Sequence, residues 1–162
     1  MVGDDVRKYC INLRDAFLIR IPKGFTNVNA DKDKNAWKWF ESTYPAIAKH
    51  LKPFEEAAKQ RQDQGDNWWE LRACDYYSEF DKPKIIYSDI VKESRIAFDT
   101  TGLYFNNTIY LIPLNDLYLL ALLKSRLIFT YFKQIAAVLG DADKGGRLRW
   151  FRQDVMKLPI PA

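Results

Sequence analysis

Histidine occurs once in this chain of 162 residues, at His50, and cysteine twice, at Cys10 and Cys74. A structural zinc site needs about four Cys or His ligands at short spacings, and the two cysteines share no CxxC pattern. Zinc held by sulfur and imidazole is therefore excluded. So little cysteine fits a reducing compartment, and a cytoplasmic location is expected. Long hydrophobic runs are missing as well. The longest, residues 117–123, ends at Lys124, far short of the roughly 20 residues that span a bilayer. No charged segment with an apolar core behind it opens the sequence. The expectation is a soluble protein with no membrane partner.

Reaction centres are lacking too. None of the seven prolines stands next to another, so the rigid Asn/Asp/Ser-Pro-Pro-Tyr/Phe turn with which adenine-N6 methyltransferases hold a flipped base is absent. No glycine-rich strand-to-helix turn is present to seat a nucleoside cofactor at a helix N-terminus. No Asp or Glu is followed two positions later by Lys, which removes the acidic-x-Lys element of many metal-dependent nucleases. The acids Asp4-Asp5, Glu55-Glu56 and Asp141/Asp143 lie in polar stretches and read as solvated surface. No Ser or Cys occupies a nucleophile elbow. The chain is expected to have no catalytic residue, no metal ligand and no cofactor of its own.

What is abundant is apolar and aromatic. Hydrophobic residues make up 48% and aromatics 15%, enough for one globular domain over residues 1–162 without disulfides or metal. The net charge of +4 is unevenly placed. Residues 124–162 hold eight Lys or Arg against three Asp, a local +5, while residues 1–123 carry −1. A basic surface confined to the last quarter suggests a polyanionic partner.

Tyr9, Ile11 and Leu13 alternate with polar neighbours, and residues 16–21 are an apolar run, so two short strands are expected before Pro22. Residues 27–35 read as a surface loop. A helical region follows over residues 36–64, divided by Pro45 and Pro53 into two or three short helices. Strands are expected at residues 68–71, 84–90, 95–99 and 103–112, the last two joined as a hairpin by Thr100-Thr101-Gly102. Asn115 or Asp116 can cap a helix from Leu117 to about Val138 that Gly140 stops. The fold class is thus α+β: a twisted, largely antiparallel sheet with flanking helices and one long central apolar helix.

Two places combine charge with chemistry suited to a polyanion. Around Trp68, Trp69, Arg72, Tyr76 and Tyr77 aromatic and basic residues interleave. If residues 68–71 form a strand, the two tryptophans point to opposite faces, one into the core. Arg72 and Tyr76 are then the candidates for ligand contact, because arginine grips phosphate or guanine bidentately. In Lys144-Gly145-Gly146-Arg147-Leu148-Arg149-Trp150, the glycines allow close backbone approach, and Arg147 and Arg149 project to one side of an extended chain. Lys144, Gly145, Gly146, Arg147 and Arg149 are the candidate phosphate contacts. The alternative is a protein-interaction domain whose aromatic residues dock a methyltransferase or helicase subunit.

Segments in order along the chain carry a resemblance. Gly3-Asp4-Asp5-Val6-Arg7-Lys8-Tyr9 is followed by Tyr44-Pro45-Ala46-Ile47, His50-Leu51-Lys52-Pro53-Phe54 and Arg61-Gln62-Asp63-Gln64-Gly65. Residues 68–72, 83–90, Ala97-Phe98-Asp99, Asn107-Thr108, residues 119–133 and the closing Leu158-Pro159-Ile160-Pro161 complete the set. In this order they resemble the TaqI-like C-terminal specificity domain of adenine-N6 DNA methyltransferases and type IIG restriction-modification enzymes. Lys124, where such domains often have Asn, and Thr130, often aromatic there, depart from the pattern. The resemblance implies a target-recognition domain for double-stranded DNA, covalently linked to a methyltransferase domain that supplies the adenine pocket and binds S-adenosylmethionine.

Overall fold

The computed structural model describes residues 1–30, 35–140 and 145–161. The chain forms two compact units, one from Met1–Ala16 with Tyr76–Ala162, the other from Phe17–Asp75.

The first unit is built on β1 (Lys84–Ser88), with β3 (Ile96–Asp99) and β4 (Ile109–Ile112) antiparallel on its two edges. Ile86 pairs with Ala97 and Leu111. Side chains alternate across a strand, so the sheet has two apolar faces. Ile86, Ala97 and Ile109 pack with Val6 and Phe105 on one. Ile85, Tyr87 and Ile96 pack with Leu123, Ile128, Phe132, Leu148 and Trp150 on the other. Burying each such aliphatic side chain contributes about 1.5–3 kcal/mol, and burial on both faces explains why residues 84–88 are apolar with little alternation. The exceptions are Ser88 at the end of the strand and Lys84, fully buried, whose ammonium donates to the Asp99 carboxylate and the Phe80 carbonyl. The expected antiparallel α+β architecture is present.

Several expected elements differ. The long apolar helix is two helices, α6 (Leu117–Lys124) and α7 (Arg126–Ile135), because Ser125 takes extended backbone at φ −66°, ψ 150° and caps α7 by accepting from Ile128 N at 3.1 Å. A serine at an N-cap satisfies an otherwise orphaned amide, and the apolar residues around it hide the break. Residues beyond Ile135 are strand β5 (Ala137–Leu139), and Asp116 caps α6 as expected. The Thr100-Thr101-Gly102 hairpin does not form, since β3 and β4 lie on opposite sides of β1. Gly102 still turns the chain with φ +76°. The Asp99 carboxylate shapes that turn by accepting from Thr101 N, Thr101 Oγ1 and Leu103 N. Strand β4 starts only at Ile109, after Asn106 has bent the chain through bonds from Thr108. The two strands expected before Pro22 reduce to one bridge, Val6 with Ile11. Their alternation has no neighbouring strand to pair with.

A second small sheet in this unit has the order β2 (Ile90–Val91), β6 (Arg147–Arg149), β5, all antiparallel. Trp150 N donates to Asp89 O at 2.7 Å, so the end of β6 is fastened where β1 runs into β2. Short helices α5 (Tyr77–Phe80) and α8 (Arg152–Val155) complete the unit.

The second unit is helical: α1 (Phe25–Asn29), α2 (Ala36–Thr43), α3 (Pro45–Leu51), a 3₁₀ turn (Lys52–Phe54) and α4 (Glu55–Lys59). Asn35 caps α2, and Pro45 opens α3 at its first position, where a missing amide costs nothing. The core is aromatic. Phe40 and Trp69 are buried with Ile21 and Ala48, and Trp37 stacks on Trp68 at 4.8 Å. Residues 68–71 are a turn, not a strand. Glu70 is fully buried, and its carboxylate accepts from the amides of Gly24, Thr26, Asp66 and Asn67. Two of these amides lie just before it in the chain and two more than 40 residues earlier, so the carboxylate folds its own segment back and ties it to the start of α1. No Cβ fits at Gly65, where it would fall 2.4 Å from the Glu70 Cβ.

Candidate nucleic-acid interface

Strand β6 positions the best-placed candidates. Leu148 is buried in the main core of its unit, so by the two-residue period Arg147 and Arg149 share the opposite face. They have different surroundings. The Arg149 guanidinium donates to Asp89 Oδ2 at 2.9 Å and lies 4.2 Å from the centre of the Phe151 ring. Arg147 is exposed and forms no ion pair or side-chain hydrogen bond with the described residues. It stands at the wall of an open cleft.

That cleft is lined by Asp4, Ile90, Val91, Lys92, Arg95 and Arg147, and it continues into a second lined by Val2, Gly3, Ser88, Asp89 and Thr108. Thr108 Oγ1 accepts from Gly3 N at 2.7 Å, which holds the N-terminal turn beside the sheet. Arg95 Nη1 donates to Asp4 Oδ1 at 3.1 Å, and its Nε lies 3.7 Å from Glu93. The buried side-chain atoms without a hydrogen-bond partner among the described residues are Asp89 Oδ1, Arg95 Nε, Arg149 Nε and Trp150 Nε1. Asp89 and Arg95 line the cleft, and Arg149 is bonded to Asp89.

The remaining candidates are spread out. Gly145 has φ +76° and open space where a Cβ would point, so it serves the turn before β6 and leaves its surroundings clear. Gly146 is half-buried beside it. Lys144 lies outside the described residues. Tyr76 is half-exposed and stacks on Phe80, 6.1 Å away, outside the walls of the cleft. Arg72 belongs to the helical unit, where it is exposed and 3.6 Å from Asp63. Of the two tryptophans, Trp69 is buried and donates to Thr26 Oγ1 at 3.0 Å, while Trp68 is half-buried. The pair differ in burial, but they do not point to opposite faces as expected: both pack against Trp37 in one aromatic cluster, from a turn rather than a strand.

Lys92 and Arg95 do not stand out in the sequence. Lys92 lies between two expected strands and Arg95 opens the second of them, and only the pairing of β2 with β6 brings them beside Arg147. Among the described residues no three His, Cys, Asp or Glu side chains form a group able to hold a metal, and no helix is long and apolar enough to cross a membrane.

The family model described as the TaqI-like C-terminal specificity domain matches residues 1–160. No curated protein matches the chain.

Proposed function

Because the chain belongs to the TaqI-like C-terminal specificity domain family, a family of DNA recognition in restriction-modification systems, we propose that it is the sequence-specific duplex-DNA reader of an adenine-N6 methyltransferase of the type IIG kind. Both compact units serve one target-recognition domain in this reading. The reader holds duplex DNA and delivers an adenine to a pocket on a covalently linked catalytic domain, where S-adenosylmethionine binds. The chain alone performs no chemistry, and it works in the cytoplasm.

The observation that carries this reading is strand β6, which presents Arg147, without an ion pair among the described residues, at an open cleft while Leu148 anchors the same strand in the core. A cation held on a rigid strand is what phosphate positioning requires. Gly145 and Gly146 flank it, and Lys144, Arg149, Arg72 and Tyr76 remain proposed contacts.

Selection from a random duplex pool tests the proposal. The purified chain is expected to enrich one motif and to bind duplex more tightly than single strands. Failure to enrich any motif would overturn sequence reading. Methyl transfer from S-adenosylmethionine to plasmid DNA by the pure chain would overturn the absence of chemistry. The protein-docking alternative draws on the exposed Leu117, Tyr118 and Leu127 of α6 and α7, and gains if duplex DNA is not bound.

A further inference from the structure

The two adjoining clefts have volumes of about 160 and 220 Å³ and share Asp4, Ile90 and Arg147. The first, which Lys92, Arg95 and Arg147 line, is well below the roughly 300–1,000 Å³ of a site for a cofactor or drug-sized ligand. A single small polar group fits the scale. The charges around them decide its sign. Asp89 is neutralised by Arg149 and Asp4 by Arg95, with Glu93 at the far side of Arg95. The ionic side chains that line the clefts and have no ion pair among the described residues are Lys92 and Arg147, both cations.

The hydrogen-bonding balance points to the same place. Buried polar atoms in folded proteins are almost always satisfied, yet Arg95 Nε, Arg149 Nε and Asp89 Oδ1 lack partners among the described residues. Two are guanidinium donors. The side chain of Arg95 is only 19% exposed, while that of its partner Asp4 is 83% exposed and sits in a three-residue 3₁₀ turn, Gly3–Asp5. An ion pair with so exposed a carboxylate is weak and readily exchanged.

We propose that this composite cleft seats one phosphodiester group of the DNA backbone, held by Lys92, Arg95 and Arg147, with Asp4 as the counter-ion that the phosphate displaces from Arg95. The inference rests on the DNA-reading function and adds residues, stoichiometry and a competitor to it. Arg149 is a positioning residue here. Its pairing with the largely buried Asp89 and its stacking on Phe151 keep β6 in place, so Arg147 meets the same phosphate each time. Exchange leaves Asp4 in solvent and Arg95 bonded to phosphate, with no bond made or broken covalently.

The test is binding of the full chain to a fluorescent duplex as a function of salt, with Lys92→Ala, Arg147→Ala and Asp4→Asn compared. Thermal melts establish that each variant is folded. Lys92→Ala and Arg147→Ala are each expected to weaken binding to every duplex and to flatten the log-log salt slope, by at most about 0.9 because the cleft holds a single phosphate. Asp4→Asn is expected to tighten binding about two- to fivefold at low salt, since a competing carboxylate is gone. A misfolded variant would not do that. A duplex carrying neutral methylphosphonates one position at a time should show one position that weakens wild type but not Arg147→Ala further. If wild type binds, yet the two alanine variants keep its slope and Asp4→Asn changes nothing, the cleft is not the seat while DNA reading stands. If wild type binds no duplex, both fall.

Discussion

In the sheet-containing unit the Asp99 carboxylate is buried beside the ammonium of Lys84, whereas in the helical unit the Glu70 carboxylate is buried with backbone amides around it and no cation among the described residues. Both side chains are at most 1% exposed. The difference separates two solutions to one problem. A buried ion pair cancels charge with charge, and each partner then depends on the other. An amide cradle cancels charge with dipoles drawn from residues 24, 26, 66 and 67, so one side chain fixes several loop segments at once. The first stiffens a strand pair. The second supplies order where regular structure is sparse.

The largest effect is expected from Lys84→Met, which leaves Asp99 charged and unpaired and should cost about 3–5 kcal/mol in denaturant unfolding. The double variant Lys84→Met with Asp99→Asn should recover part of that loss. No recovery would mean that shape rather than charge matters at this site. Next comes Trp69→Ala, at about 3–5 kcal/mol for a buried ring, with a much smaller loss for Trp68→Ala at the half-buried neighbour. Equal losses would contradict the burial difference between them. Glu70→Gln keeps volume but removes charge and turns one oxygen into a donor facing amides, and about 1–3 kcal/mol is expected.

The smallest effect is on pH dependence. Burial pushes both carboxyls up, but the Lys84 bond and the Thr101 and Leu103 amides hold Asp99 below its ordinary 3.8, and the Thr26 and Gly24 amides hold Glu70 below its ordinary 4.5. A depressed carboxyl contributes stability that is complete above its unfolded pKa and is lost as pH falls through the lower folded one. Stability should therefore be level from neutrality to about pH 4.5 and fall below it. In Glu70→Gln the fall should be shallower. In Lys84→Met the deficit should shrink in acid, because protonation relieves the stranded carboxylate.

The two units also differ in what their sequence makes plain. Residues 84–88 and 96–99 are legible as strands because local apolar content is enough when both faces are covered. The Asp116 cap and the division of the helical region at Pro45 are legible because capping and proline chemistry act within a few residues. Ser125 is not, since a lone polar residue amid apolar neighbours reads as continuous helix until its side chain is seen to take the Ile128 amide. Glu70 gives no local sign that two of its partners lie more than 40 residues away. The cleft is half visible. Arg147 and Arg149 stand out beside two glycines, whereas Lys92 and Arg95 join them only through a strand pairing between distant parts of the chain. For Glu70 and for the cleft, distance along the chain, rather than weakness of the interaction, keeps the contact hidden.

The placement of tryptophan divides the two units optically. Trp37, Trp39, Trp68 and Trp69 belong to the helical unit, and Trp150 alone to the other. Trp37, Trp68 and Trp69 have ring centroids 4.8–5.4 Å apart, close enough for their transitions to couple and give the helical unit a strong near-ultraviolet dichroic band. Trp150 is 1% exposed, lies 4.2 Å from Phe132, and directly follows Arg149 in the chain. Fluorescence of a variant retaining only Trp150 would follow the unit that carries the cleft, while the coupled dichroism of the native chain follows the other. Whether the two signals melt together then reports whether recognition surface and aromatic scaffold unfold as one cooperative body or as two.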